Sequence, residues 1–120
     1  MKNKTLVLGA SENPDRYSNK AINRLLNTGH EVVAIGKRSG KVKNVPILTE
    51  QVKTDEIDTV TLYLNPLHQV PYYDYIVSLK PRRIIFNPGA ENEDLERIAA
   101  KEGIDILEAC TLVMLGTGQY

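Results

Sequence analysis

Short apolar segments alternate with longer amphipathic segments along the chain. Five of the apolar segments are rich in β-branched residues and end at turn-forming residues, as buried strands do. These predicted strands cover residues 5–8, 31–35, 58–64, 83–86 and 104–107. The region 39–54 is predicted to hold a short edge strand near residues 45–48 and then a short helix.

Three amphipathic segments between these strands have helical periodicity. The first is predicted to have Ser18 as its N-cap and to end at Gly29, the second to lie in residues 72–79, and the third to end at Gly103. Strands that alternate with helices imply parallel strands with right-handed crossovers. The sequence therefore predicts one Rossmann-like α/β domain over residues 1–120, a doubly wound parallel sheet of about five strands with helices on both faces.

Composition is that of an ordinary globular protein. Hydrophobic residues make up 42% of the 120 residues and charged residues 25%. The single cysteine, Cys110, excludes an internal disulfide and a cysteine-based zinc site, and no histidine and carboxylate pair has metal-ligand spacing. No apolar run approaches the ~20 residues that cross a bilayer and no signal peptide is apparent, so we expect a cytoplasmic protein.

Charge is unevenly distributed along the chain, although the net charge is zero. Residues 1–53 contain ten Lys or Arg and four Asp or Glu, whereas residues 54–120 contain five and eleven. A basic N-terminal half suits an anionic ligand. A nucleic-acid site would need a broader basic face with interleaved aromatic residues, and this half has only Tyr17. We therefore expect a small-molecule nucleotide ligand, and neither nucleic acid nor a membrane as a partner.

The segment 9–18 joins the first predicted strand to the first predicted helix. Ligands of open parallel sheets bind beyond the carboxyl ends of the strands, which is where this loop lies. Its glycine permits close approach of the backbone, and free N–H groups at the start of the helix attract phosphate. The candidate phosphate-binding residues are Gly9, Ala10, Ser11, Arg16 and Ser18. The alternative is that these residues only form the turn and cap the helix.

Two features argue against a standard dinucleotide site. No second glycine follows Gly9 to complete the G-x-G-x-x-G fingerprint. The second strand ends at Gly36, Lys37 and Arg38 instead of at an acid that would hold a ribose 2′-hydroxyl. Two cations there call for a phosphorylated ribose, as in NADP or coenzyme A (CoA), unless they form only an exposed basic turn.

The sequence of residues 7–18, Val-Leu-Gly-Ala-Ser-Glu-Asn-Pro-Asp-Arg-Tyr-Ser, resembles the opening motif of the small bacterial CoA-binding domain proteins. The resemblance extends over nearly the whole chain, and the same domain is similar to the CoA-binding part of the succinyl-CoA synthetase α chain. It implies a Rossmann-like fold in which the first loop holds the phosphates of CoA. The other residues that it implies, or that we expect, along the crevice are Gly36, Lys37, Arg38, Asn65, Pro66, Asn87 and Gly89.

No catalytic set assembles from the sequence. His30 begins a strand at the opposite edge and is interpreted as structural, and His68 as a surface residue at the ligand edge. Cys110 falls near the ligand edge, where a thiol could form a mixed disulfide or thioester with CoA, but a free cysteine is commonly a small buried apolar residue. No neighbouring cation in the sequence favours its thiolate.

The sequence thus predicts a CoA or acyl-CoA binding protein without catalytic activity. The alternatives are an NAD(P)-binding oxidoreductase-like domain and an acyl-CoA-processing enzyme that uses Cys110. The apolar and then Gly-rich segment 112–120 is predicted either to pack on the sheet edge or to join a partner subunit in a homodimer.

Overall fold

The computed structural model describes residues 3–120. Seven strands in this range form one sheet in the order β3-β4-β2-β1-β5-β6-β7. They are β1 (Thr5–Leu8), β2 (Val32–Ile35), β3 (Gly40–Val42), β4 (Val45–Leu48), β5 (Thr59–Leu62), β6 (Arg83–Phe86) and β7 (Asp105–Glu108). All neighbouring strands are parallel except β3, which runs antiparallel to β4. The predicted Rossmann-like α/β fold is confirmed.

Within the described part of the chain, five α-helices connect the strands or follow them. They are α1 (Tyr17–Asn27), α2 (Pro66–Gln69), α3 (Tyr73–Leu79), α4 (Glu93–Lys101) and α5 (Thr111–Gly116). A 3-10 turn, Val70–Tyr72, joins α2 to α3. Among residues 3–120, no helix has both the length and the apolar character that a membrane crossing requires.

Apolar residues of both sheet faces are buried, which is why the central strands consist mainly of apolar and β-branched residues. On one face, Leu6 and Leu8 of β1 pack in a core with Ile76 of α3 and Leu95 of α4. On the other face, Val7 packs in a second core that includes Ile22 and Leu25 of α1. Because successive side chains of a strand point to opposite faces, β1 contributes to both cores.

The sheet has seven strands, and not about five, because residues 40–48 form a hairpin. The predicted strand at β4 is present, but β3 lies outside it and forms the edge of the sheet. Only three residues long, β3 lacks a recognisable apolar pattern, and Val42 alone is buried in it. Lys43 occupies the turn with a positive φ of 53°. Because positive φ values favour glycine, a lysine at this position does not indicate a turn in the sequence.

Two local predictions are wrong. The short helix expected after β4 is absent from residues 51–54. The Val52 carbonyl there accepts a hydrogen bond from the Tyr75 hydroxyl at 2.6 Å. Ser18 is not the N-cap of α1. Arg16 holds that position, and Ser18 is buried in the first turn. The helical hydrogen bonds begin at Arg16, whose carbonyl accepts the Lys20 N–H at 3.2 Å, and the Arg16 N–H closes the preceding turn onto the Asn13 carbonyl.

The C-terminal segment packs on its own chain. Helix α5 lies against α1, and Leu115 joins the core on that face. Tyr120 reaches the amino ends of the strands, where its hydroxyl forms a hydrogen bond with Thr5 and its ring lies 4.5 Å from the Arg83 guanidinium. This is the first of the two predicted arrangements. His30 also lies here, with its ring 5.0 Å from that of Tyr120, far from the ligand edge.

Candidate functional site

A crevice of about 890 Å³ opens at the carboxyl edge of the sheet. Its place follows from the strand order, because the chain leaves β1 toward β2 on one side and later returns to β5 on the other. Such a reversal separates the loops of the two central strands and leaves a gap between them. The predicted residues that line it are Gly9, Ala10, Ser11, Arg16, Ser18, Lys37, Arg38, Asn65 and Gly89.

Three predicted residues lie beside the crevice and not on its wall. Gly36 lies at its base, where a Cβ atom would be 2.3 Å from the Ala10 carbonyl oxygen, so the glycine permits contact between two loops. Pro66 is the first residue of α2, and Asn65 caps that helix by accepting the His68 N–H at 3.0 Å. Asn87 is buried and its side chain is fully used in holding neighbouring segments.

The loop after β1 is held in position at both ends. The N–H groups of Gly9 and Ala10 both donate to the Ile35 carbonyl at the end of β2, at 2.9 and 3.0 Å. Beyond them, Ser11 Oγ accepts the Asn13 N–H at 3.1 Å, and the Asn19 side chain donates to the Ser11 carbonyl at 2.9 Å. These bonds preform the loop and fix the start of α1 beside the crevice.

Helix α1 presents its N-terminus to the crevice without a side-chain cap. The first N–H groups of a helix have no partner inside it, and the helix dipole is positive at this end. Tyr17 and Ser18, the first two helical residues, both line the crevice. Backbone donors and a partial positive charge therefore face the space where a ligand would lie.

Cations extend the positive character of this wall. Arg16, Lys37 and Arg38 line the crevice and are exposed. None of the ion pairs formed within residues 3–120 involves them. Two acids lie on the same wall: Asp15, and Glu12, whose carboxylate accepts the Lys41 N–H at 2.9 Å. Glu12 is a residue that the sequence did not single out, since its partner is 29 positions away.

A buried glutamine supports the opposite wall. Gln69 is fully buried, and its Nε2 donates to the carbonyls of Leu64 and Ala90 at 2.8 and 2.7 Å. Its Oε1 accepts from Asn92, which caps α4 and also donates to the Tyr73 hydroxyl. Leu64 and Ala90 line the crevice, so Gln69 fixes the distance between the loops after β5 and β6. Nothing in the sequence pattern indicated this residue.

Below the crevice, a buried polar network joins β5, β6 and α5. Asn87 donates to Thr61 Oγ1 at 2.7 Å and to the Leu62 carbonyl at 2.9 Å, and it accepts the Thr111 N–H at 2.8 Å. Tyr63 lies above this network on the crevice wall, and burial raises the pKa of its hydroxyl well above the ordinary value. That hydroxyl therefore stays protonated at neutral pH.

Potentially reactive side chains do not converge. His68 is exposed on α2, and Cys110 is half-buried at the N-cap of α5. Neither side chain has a hydrogen bond or ion pair within residues 3–120. The same range holds no group of three His, Cys, Asp or Glu placed to bind a metal ion.

Comparison with known families assigns the chain. A model of the CoA binding domain family matches residues 3–116. The chain belongs to the CoA binding domain family. No curated protein sequence matches it significantly. Membership agrees with the uncapped helix, the unpaired cations and the glycines that bring the loops together, all of which fit a ligand with several phosphates.

Solved structures share this family domain's fold. A crystallised uncharacterised protein is 47% identical, with a TM-score of 0.97, over 100% of this chain and 99% of its own. A hypothetical protein from Pyrococcus horikoshii OT3 is 20% identical, with a TM-score of 0.88, over 97% of this chain and 83% of its own.

A larger protein contains the same fold. The chain covers 25% of a dinucleotide-forming acetyl-coenzyme A synthetase 1 from Ca. Korarchaeum cryptofilum, in complex with phosphate and ADP. That match covers 89% of this chain, with 19% identity and a TM-score of 0.72. At this identity the likeness shows the fold alone.

Proposed function

We propose that this chain binds CoA or acyl-CoA in the crevice and acts as a binding protein without catalysing a reaction. One observation carries the assignment of the ligand: the uncapped N-terminus of α1 and the unpaired Lys37 and Arg38 line a single crevice. A ligand that satisfies both features carries a diphosphate and a further phosphate on its ribose. CoA and NADP both have these groups, and membership of the CoA binding domain family favours CoA. The crevice volume of about 890 Å³ lies in the range of cofactor sites.

The residues of the first loop would hold the diphosphate. Gly9 and Ala10 bring the backbone close, while Ser11 and Ser18 offer hydroxyls at the start of α1. Arg16 would add charge-assisted hydrogen bonds, which are roughly twice as strong as neutral ones. Lys37 and Arg38 would bind the 3′-phosphate of the ribose.

The loops after β5 and β6 would receive the rest of the ligand. Asn65 and Gly89 line that side, and Gln69 holds their loops in place from below. When bound, CoA supplies a thiol that carries acyl groups as thioesters. Neither the His68 nor the Cys110 side chain has a hydrogen bond within residues 3–120. This supports binding without catalysis, because an activated nucleophile needs a base within hydrogen-bonding reach.

Calorimetric titration of the purified protein with CoA, dephospho-CoA, NADP and NAD tests the ligand. We expect CoA to bind about tenfold more tightly than dephospho-CoA, because a charged hydrogen bond contributes more than about 1.4 kcal/mol. The double variant Lys37→Ala/Arg38→Ala should remove that preference, while Lys101→Ala, an exposed lysine at the end of α4, should keep it. Equal affinity for CoA and NAD would refute the assignment of CoA as the ligand.

Incubation with acetyl-CoA tests the absence of catalysis. Free CoA thiol is measured by a colorimetric reagent and the protein mass by mass spectrometry. We expect neither release of CoA nor an added mass. Release or an adduct that is lost in Cys110→Ser would overturn the non-catalytic assignment and support the enzyme alternative.

A further inference from the structure

The loop after β1 and the segment after β2 both line the crevice, and they contact each other at two places, the base of the crevice and its rim. At the base, the Gly9 and Ala10 N–H groups donate to Ile35, and Gly36 lies directly against the Ala10 carbonyl. At the rim, Glu12 of the first loop reaches β3 and accepts the N–H of Lys41 at 2.9 Å. Because β3 is the edge of the sheet, its outward N–H groups have no strand partner. Glu12 supplies one.

The contact at the rim is closely fitted. A Cβ atom on Gly40 would lie 2.2 Å from Cδ of Glu12, so glycine at this position leaves room for the carboxylate. The backbone conformation does not require glycine at position 40, because the φ angle of Gly40 is not positive. The side chain of Glu12 accounts for it instead.

We infer that Glu12 is a positioning residue that fixes the diphosphate loop relative to the turn at Lys37 and Arg38. The inference rests on the proposed function and adds a source of specificity to it. The bond to Lys41 holds the end of that turn, so the two cations remain at one distance from the start of α1. A ligand with both phosphates then binds without the cost of ordering two independent loops.

The charge of Glu12 by itself would act in the opposite sense. A carboxylate beside a phosphate site repels the ligand, so removal of charge alone should tighten binding of CoA. Asp15 provides the matched control, because it lines the same crevice and its carboxylate has no hydrogen bond within residues 3–120. For Glu12→Ala, a positioning role therefore predicts a weaker preference for CoA over dephospho-CoA, whereas repulsion alone predicts tighter binding of CoA.

The test measures the ratio of the dephospho-CoA and CoA dissociation constants by calorimetry for wild type and variants. Glu12→Ala should lower this ratio about fivefold, the lower end of couplings between sites. Glu12→Gln keeps an acceptor for the Lys41 N–H and should stay within about twofold of wild type. Gly40→Ala should match Glu12→Ala, since it displaces the side chain and keeps its charge. Asp15→Asn removes a charge that holds no loop, so it should tighten CoA and dephospho-CoA alike and thereby keep their ratio.

Two other outcomes would overturn the inference, and they distinguish it from the proposed function. A ratio unchanged in Glu12→Ala, or a tighter binding of CoA by that variant, overturns the positioning role while the proposed function stands. If wild type does not bind CoA, the proposed function fails and the inference fails with it. Far-ultraviolet circular dichroism of each variant verifies the fold.

Discussion

Gly9 passes so close to Tyr63 that a Cβ atom on residue 9 would lie 2.7 Å from the Tyr63 carbonyl oxygen. Gly9 follows β1 and Tyr63 follows β5, the two strands between which the sheet order reverses. Its φ of +91° is also one that residues with side chains rarely adopt. This contact brings the loop after β1 against the opposite side of the crevice.

Replacement of Gly9 should therefore be costly. Gly9→Ala should lower the free energy of unfolding by about 3 kcal/mol, since it adds a backbone clash to an unfavourable φ. Gly118→Ala is the matched control, because Gly118 has a φ of +72° and no atom within 4 Å of the added Cβ. That control should lose only about 1 kcal/mol. Urea unfolding measures both, and equal losses would contradict the role of the Tyr63 contact.

Arg16 should contribute to CoA binding without discriminating its 3′-phosphate. Arg16→Ala should weaken CoA and dephospho-CoA alike, by about tenfold, because a hydrogen bond to a charged group contributes about 1.5–3 kcal/mol. Arg24→Ala serves as the control, since Arg24 lies in the last turn of the same helix. Calorimetry with both ligands decides. A loss confined to CoA would place Arg16 at the 3′-phosphate and contradict the assignment.

Gln69 should be important for stability although it lies behind the crevice wall. Gln69→Leu should destabilise the protein by about 3 kcal/mol, because it leaves the buried carbonyls of Leu64 and Ala90 without donors. The control variant is Gln51→Leu, because the exposed Gln51 side chain also donates to a backbone carbonyl, that of Pro71. That variant should change stability by less than about 1 kcal/mol. A chemical denaturation curve for each variant measures the difference, and equal small effects would refute the role of Gln69.

Asp58 should make stability depend on acid pH. Burial raises the pKa of its carboxyl, but hydrogen bonds from Arg82 and Thr59 and the charges of Arg82 and Arg83 outweigh burial and lower it. A lowered pKa in the folded state stabilises the protein above the ordinary value of about 4 and loses this contribution as the pH falls below it. Asp58→Asn should therefore be less stable than wild type at pH 6, with the difference shrinking toward pH 2.

The control for this pH dependence is Asp94→Asn. Asp94 forms an exposed ion pair with Arg97 within one helix, and such pairs contribute little. Thermal unfolding at a series of pH values compares the variants. A difference between wild type and Asp58→Asn that stays constant between pH 6 and pH 2 would contradict the shifted pKa.

Much of the architecture follows from local patterns. The segments at β1, β2, β5 and β6 could be identified because they are short, rich in apolar and β-branched residues, and followed by turn-forming residues. The loop at Gly9 could be identified because the glycine lies between an apolar strand segment and an amphipathic helix segment, at the edge where ligands of parallel sheets bind. By contrast, β3 is too short and too exposed to leave a pattern, and Ser18 has the residue type of an N-cap but lies inside the helix.

The sequence by itself determined six of the strands, the helices α1, α3 and α4, and the loops that meet at the carboxyl edge, since these depend on periodicities within a few residues. It also indicated a phosphate-rich ligand from the types of residue in two loops. Only the tertiary structure decided how those loops are held: Glu12 on Lys41, Gln69 between Leu64 and Ala90. The bonds from Lys41 to Glu12 and from Gln69 to Ala90 join residues 29 and 21 positions apart, and a polar side chain carries no local mark of the partner that folding brings to it.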